Sequence, residues 1–153
     1  MSWWVASVER TLTEDVPAPP ADVRAFYVDL DNLKTLHPLI AAVQVLSRTR
    51  TTDGYQHSYQ VTDRIPLGPW RFRISYRARL QVPTAGDVRT QADQSPGVRL
   101  RGTVSFEPIA GGTRLTERIH LTAPRPLAAF TVRAADKAHR EMLAGIRRHF
   151  ESC

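Results

Sequence analysis

From Tyr55 to Leu80 apolar and polar positions alternate with period two, and the apolar phase is broken by residues that can do chemistry. Tyr55, His57, Tyr59, Val61, Asp63, Ile65 and Leu67 share one side of a first strand. Trp70, Phe72, Ile74, Tyr76, Ala78 and Leu80 share one side of the next. The opposite sides are polar throughout, with Gln56, Ser58, Gln60, Thr62 and Arg64, then Arg71, Arg73, Ser75, Arg77 and Arg79. Such alternation sets one face against a core and the other against water. A core face that contains His57, Tyr59, Asp63 and Tyr76 must supply each buried polar group with a partner. A cavity holding water or a ligand does this most economically.

The same patterning predicts the other elements. Trp3 to Thr13 alternates as a strand with Val8 and Leu12 on one face, and Pro17, Pro19 and Pro20 end it and open a helix. That helix is predicted over 21–29, burying Val23, Phe26, Tyr27 and Leu30. Asp31 is placed to cap a second short helix that stops before Pro38. Turn signals at Asp53-Gly54, Pro66 to Pro69, Pro83 to Asp87, Ser95-Pro96-Gly97 and Gly111-Gly112 then divide a meander of strands. Val98, Leu100, Gly102, Val104 and Phe106 point inward, followed by Leu115, Ile119 and Leu121. Pro124 and Pro126 end the sheet, and a long helix follows over 127–150 with Ala134, Ala135, Ala138, Met142 and Ile146 on its inward stripe. Small residues in the middle of that stripe leave room beneath the helix.

At 153 residues the chain suits one domain, 1–153, burying roughly 70% of its unfolded surface. Cys153 is the only cysteine, which excludes an internal disulfide and suits a reducing compartment. The first residues carry Glu9, Arg10, Glu14 and Asp15 and lack the apolar core of a signal peptide, so a cytoplasmic setting is expected. The net charge of +6 is written almost wholly in arginine, since lysine occurs only at Lys34 and Lys137. Arg71, Arg73, Arg77, Arg79, Arg89, Arg99, Arg101, Arg114 and Arg118 fall on outer faces of successive predicted strands, with Asp93 and Glu107 as the clearest acids among them. That face could meet an acidic protein or an anionic membrane. It lacks the aromatic rings on which single-stranded nucleic acid stacks, which argues against nucleic acid. No metal-ligand spacing, nucleophile elbow, phosphate-binding loop or dinucleotide fingerprint occurs, so no metal and no cofactor are expected.

The order of elements resembles the helix-grip fold of the START-like (SRPBCC) superfamily, which includes pollen allergens, lipid-transfer domains and polyketide cyclases. Two stretches carry the resemblance. Thr11 to Tyr27, with Pro17-Ala18-Pro19 and Val23, is similar to the family's first strand and helix. Asp31-Asn32-Leu33 followed by His37-Pro38 is similar to its second helix, although Leu36 stands where an aromatic often sits. The resemblance implies an α+β fold: a seven-stranded curved antiparallel sheet wrapped around a long C-terminal helix, with two short helices between strands 1 and 2. It also implies a deep, mainly apolar tunnel between sheet and helix, and a first strand that neighbours the strand carrying Glu117.

Within that frame Arg10 and Glu117 both point inward on adjacent strands, either as a buried pair or as an arginine for a ligand carboxylate beside an acid or base. Trp70, Phe72, Ile74, Tyr76, Val104, Phe106, Ala138 and Met142 would wall the tunnel. His57, Tyr59, Asp63 and His139 would orient a ligand through hydrogen bonds. His37 reads as a helix-end residue. The first function expected is binding or transport of a hydrophobic or amphipathic molecule such as a lipid, a fatty acyl group or a polyketide. The alternative is a polyketide cyclase, aromatase or dehydratase in which His57 or Asp63 removes a proton and Tyr59 or Arg10 stabilises the enolate, with Glu117 a further candidate. A third class is an interaction module that uses the arginine face.

Overall fold

The computed structural model describes residues 4–94 and 97–153. Trp3, Ser95 and Pro96 lie outside the described residues, as do the side chains of Pro66 and Leu67. The chain runs β1 (Val5–Val16), α1 (Pro20–Tyr27), α2 (Leu30–Leu33), β2 (Ile40–Thr51), β3 (Gly54–Leu67), β4 (Trp70–Pro83), β5 (Val88–Gln94), β6 (Val98–Ile109), β7 (Gly112–Pro124) and α3 (Arg125–Glu151). The strands form a seven-stranded antiparallel sheet ordered β1-β7-β6-β5-β4-β3-β2, the helix-grip arrangement.

Several boundaries differ from the sequence reading for local reasons. β1 continues past Thr13 because Glu14, Asp15 and Val16 stay in register with Leu115, Arg114 and Thr113 of β7. α2 is capped by Asp29, whose side chain accepts from the Asp31 amide, so Asp31 itself lies inside the helix. Pro126 does not end the sheet. It occupies the first turn of α3, where a missing amide hydrogen leaves no bond unmade.

The inner face divides into two regions. At one end α1 and α2 cover Leu12, Val16, Val61, Leu80, Val82, Val88, Val104 and Leu115, which pack into a continuous core with Met142, Leu143 and Ile146 of α3. At the other end the N-terminal half of α3 spans the sheet without filling the space beneath it, because Ala134 and Ala135 present only methyl groups there. β3 and β4 extend past β5, whose pairing with β4 covers only Arg77 to Gln81. The outlying hairpin thus forms one wall of the unfilled region.

Candidate functional site

The unfilled region is a cavity of about 270 Å³. β3 contributes Asp63 and Ile65, β4 contributes Phe72, Ile74 and Tyr76, and β5 to β7 contribute Ala92, Gln94, Val98, Leu100 and Leu121. α3 supplies Leu127, Phe130, Thr131, Ala134, Ala135 and His139, and the segment after α2 supplies His37 and Leu39. Phe72, Leu127 and Phe130 are 48%, 45% and 40% exposed, so the cavity opens to solvent between the β3–β4 hairpin and the start of α3. Leu39, Ile65, Phe130 and Ala134 also line a surface groove beside Arg64, Arg71, Arg133 and Lys137, so cavity and groove share a wall.

Polar groups gather at the closed end. Tyr76 donates through its hydroxyl to Asp63 Oδ1 at 3.3 Å, across the β3–β4 ladder. Burial raises the Asp63 carboxyl to about 6, opposed by the Tyr76 hydrogen bond and by His139. Burial also raises Tyr76, and the neighbouring Asp63 raises it further, so its hydroxyl remains protonated and acts as a donor. His139 Nδ1 lies 3.0 Å from Glu117 Oε1, and Tyr27 donates to Glu117 Oε2. Burial alone would lower His139, but the Glu117 carboxylate outweighs it and holds the imidazole above its ordinary range, aided by Asp63 and Asp136. Tyr27 is raised by burial and by Glu117.

His37 completes the cluster. Its ring meets that of His139 edge-on at 5.4 Å, and its Nδ1 accepts from the Leu39 amide at 3.3 Å. Burial and His139 lower it to about 3, so it stays neutral beside a charged partner. With Nδ1 of His139 engaged by Glu117, Nε2 is the nitrogen left to meet a cavity occupant. The corner thus offers an imidazole backed by a carboxylate, a carboxyl group that changes charge near neutrality and a phenol donor. Such a set can orient a carbonyl or hydroxyl and can move a proton.

Asp63, Phe72, Ile74, Tyr76 and His139 meet at one cavity. The other expected site residues do not. Val104, Phe106 and Met142 fill the packed end, where Phe106 meets Tyr27 edge-on at 5.8 Å, and buried Ala138 lines the neighbouring groove, so the space is a compact cavity at one end of the sheet instead of a full-length tunnel. Trp70 is 69% exposed near the hairpin tip and is not among the lining residues. His57 and Tyr59 hydrogen-bond to one another beneath the short helices, away from the cavity. Burial raises Tyr59 to about 12 and lowers His57. Arg10 does not pair with Glu117. Its guanidinium donates to the Glu9 carbonyl and stands 4.0 Å from Asp136 of α3, because β1 places it beside the helix and opposite Ile119.

Two residues of the cluster escaped the sequence reading, His37 and Tyr27. His37 follows α2, where a loop histidine before a proline gives no facial signal. The sequence places Tyr27 in the core, and the structure adds Glu117 as the partner of its hydroxyl. Among the described residues no group of His, Cys, Asp and Glu could hold a metal ion. No helix among them is long and apolar enough to cross a membrane.

The family described as polyketide cyclase / dehydrase and lipid transport matches residues 6–151. No curated protein matches the chain. Among solved structures, a protein from Thermus thermophilus superposes with a TM-score of 0.74 at 17% identity, covering 95% of this chain and 98% of that one. A STAR-related lipid transfer protein from Xanthomonas axonopodis gives 0.66 at 18% identity, covering 99% and 96%. The Zhui aromatase/cyclase from Streptomyces sp. R1128 gives 0.67 at 15% identity, covering 94% of each. At these identities the likeness is one of fold.

Proposed function

The chain belongs to the polyketide cyclase / dehydrase and lipid transport family, and from that premise we propose that it binds a compact, mainly apolar ligand with one polar end. The observation that carries this reading is the lining of the cavity. Phe72, Ile74, Leu100, Leu121, Ala134 and Ala135 form apolar walls, and His37, Asp63, Tyr76 and His139 converge on one corner. Apolar walls with a few placed polar groups are the usual composition of a small-molecule site. The volume, about 270 Å³, sits just below the range of about 300–1,000 Å³ common for drug-sized ligands. A ring-sized molecule or a folded short chain suits it better than an extended lipid. Burial of the ligand's apolar surface would drive binding at about 25 cal/mol per Å² before association costs. The fit with a lipid transfer protein and an aromatase/cyclase supports this ligand class. A cytoplasmic setting goes with the reading and is supported by the single, exposed cysteine.

The test is to fill the cavity. Ala135→Trp places an indole where Ala135 now lines the space. The variant should bind an environment-sensitive apolar dye on the order of tenfold more weakly than wild type, with an unchanged far-ultraviolet circular dichroism spectrum. Unchanged dye affinity would remove the cavity as the binding site.

A second reading, acid–base catalysis on the bound ligand, is favoured by the pairing of His139 with Glu117. In it the charged His139 gives its Nε2 proton to a ligand oxygen or to a carbon beside a carbonyl and regains one from solvent, while Tyr76 donates to the carbonyl oxygen. His139→Gln separates the readings. A carrier keeps its ligand affinity and has no turnover to lose, whereas a cyclase or dehydratase loses turnover while still binding.

A further inference from the structure

The opposite face of the sheet holds a second, unrelated depression of about 440 Å³. Arg79 and Arg101 flank Gln91 in one cross-strand row, and Arg89 and Arg118 flank Thr103 in the next. The two rows are staggered by one strand, so the guanidiniums zigzag over β4, β5, β6 and β7, spanning about 15 Å at ordinary strand spacing. All four arginines line the depression and are exposed.

Like charges this close on neighbouring strands oppose one another, and sheets usually set opposite charges across them. Here the intervening positions are glutamine and threonine. None of the four arginines has a carboxylate within ion-pair distance among the described residues. Of the nearby acids, Asp93 is held by Arg99 at 3.7 Å and by Gln91 at 2.8 Å, and Glu9 lines the β1 edge of the depression opposite His120, forming no ion pair with any of the four. Arg114, farther along the same face, is answered by Asp15 at 3.0 Å. Arg71, Arg73 and Arg77 on the same face also have no ion pair among the described residues, so what sets the depression apart is that four unpaired guanidiniums line one concavity.

We propose that this depression is a binding site for a linear condensed phosphate, free or as the triphosphate tail of a nucleotide. Planar guanidinium forks match phosphate oxygens in pairs, and a chain of linked phosphoryl groups presents several negative charges in a row, as the zigzag requires. Orthophosphate offers a single centre and cannot engage all four arginines. Apart from the imidazole of His120, the lining residues carry no aromatic ring on which a base could stack. The phosphate chain alone is then read, with no contribution from a nucleobase. The site lies on the far side of the sheet from the cavity and does not depend on the cavity's function.

Calorimetric titration of the whole protein with sodium tripolyphosphate tests the proposal. Saturable one-to-one binding is expected, weakening on the order of tenfold when salt rises from about 0.1 M to about 1 M, since the screening length falls from about 10 Å to about 3 Å. Arg79→Gln with Arg101→Gln should weaken it by about tenfold or more. Arg73→Gln with Arg77→Gln removes the same net charge from the same face outside the depression, and should leave affinity within about twofold. Nucleoside triphosphate should bind as tripolyphosphate does, and orthophosphate far more weakly. Retained dye binding in the cavity shows that each variant is folded. The proposal is overturned by absence of saturable binding, by equal loss in both double variants, by a preference for the nucleotide, or by orthophosphate binding as tightly as the triphosphate.

Discussion

His139 Nδ1 sits 3.0 Å from Glu117 Oε1, joining the middle of α3 to the inner face of β7. The Glu117 side chain is only 3% exposed and that of His139 16%. The contact therefore lies inside the protein, where losing one partner leaves the other poorly solvated. Because Glu117 holds the folded imidazole above its ordinary range, the charged pair contributes fully below the unfolded value of about 6.5. The contribution fades as pH rises through the higher folded value.

Glu117→Gln should accordingly destabilise the protein by about 2 kcal/mol at about pH 6. The deficit should be smaller at about pH 9, as the folded imidazole gives up its proton on the way through its raised value. Urea denaturation of both proteins at the two pH values measures the gap. A gap that does not change with pH would mean that His139 carries no charge in the folded protein.

Asp63 has the opposite dependence from an ordinary paired carboxylate. Burial raises it to about 6 in the folded chain, while the unfolded carboxyl ionises near about 3.9. Between those values the folded state holds a proton that the unfolded state has released, so stability declines as pH climbs through this window and stays lower above it. Asp63→Asn keeps an acceptor for Tyr76 and cannot ionise. It should be more stable than wild type by on the order of 2 kcal/mol at about pH 7.5 and equal to it at about pH 4. Thermal melts at both pH values decide the matter, and a variant that is less stable at the higher pH refutes the account. Such a gain would place Asp63 among residues kept for binding or chemistry at a cost in stability.

Tyr27 carries its hydroxyl from α1 to Glu117 Oε2, and both groups are buried. Tyr27→Phe preserves the ring that meets Phe106 but strips the carboxylate of a donor. The expected loss is about 1–3 kcal/mol, the penalty for an unsatisfied buried acceptor. Chemical denaturation at constant pH measures it. A loss of a few tenths would show that water replaces the hydroxyl.

What could be read from the chain follows from how local each feature is. Period-two patterning places Asp63, Ile74 and Tyr76 on one face without any knowledge of neighbours, and a hairpin turn at Gly68-Pro69 then sets Asp63 opposite Ile74, two pairs away from Tyr76. The alanines of α3 foretell space beneath the helix for the same reason, since a missing side chain leaves a gap wherever the helix packs. Which part of the sheet that gap faces is not local. It depends on α1 and α2 filling the other end, which is why Tyr59, Val104 and Met142 belong to the packed end and why Glu117 meets His139 and Tyr27 instead of Arg10. Periodicity states the face of a residue and says nothing about which end of that face another element covers.

Gly145 shows how one small residue positions part of the site from a distance. A Cβ atom at this helical position would lie 3.1 Å from Leu36 Cδ2 and 3.3 Å from Leu36 Cβ, so the absence of a side chain lets the segment after α2 settle against α3. Leu36 precedes His37, whose ring meets His139 and lines the cavity. Gly145→Leu should force that segment outward, with the loss of about 1–3 kcal/mol typical of overpacking. It should also weaken apolar dye binding, because the His37 and Leu39 wall moves with Leu36. Gly145→Ala is the companion measurement. Its gain of about 1 kcal/mol in helix propensity opposes a contact that a small shift of the flexible Leu36 side chain can relieve, so stability and dye affinity should both stay near wild type. If Gly145→Leu lowers the melting temperature but leaves dye affinity intact, the Leu36 contact is separable from the cavity wall, and glycine at this position serves packing alone.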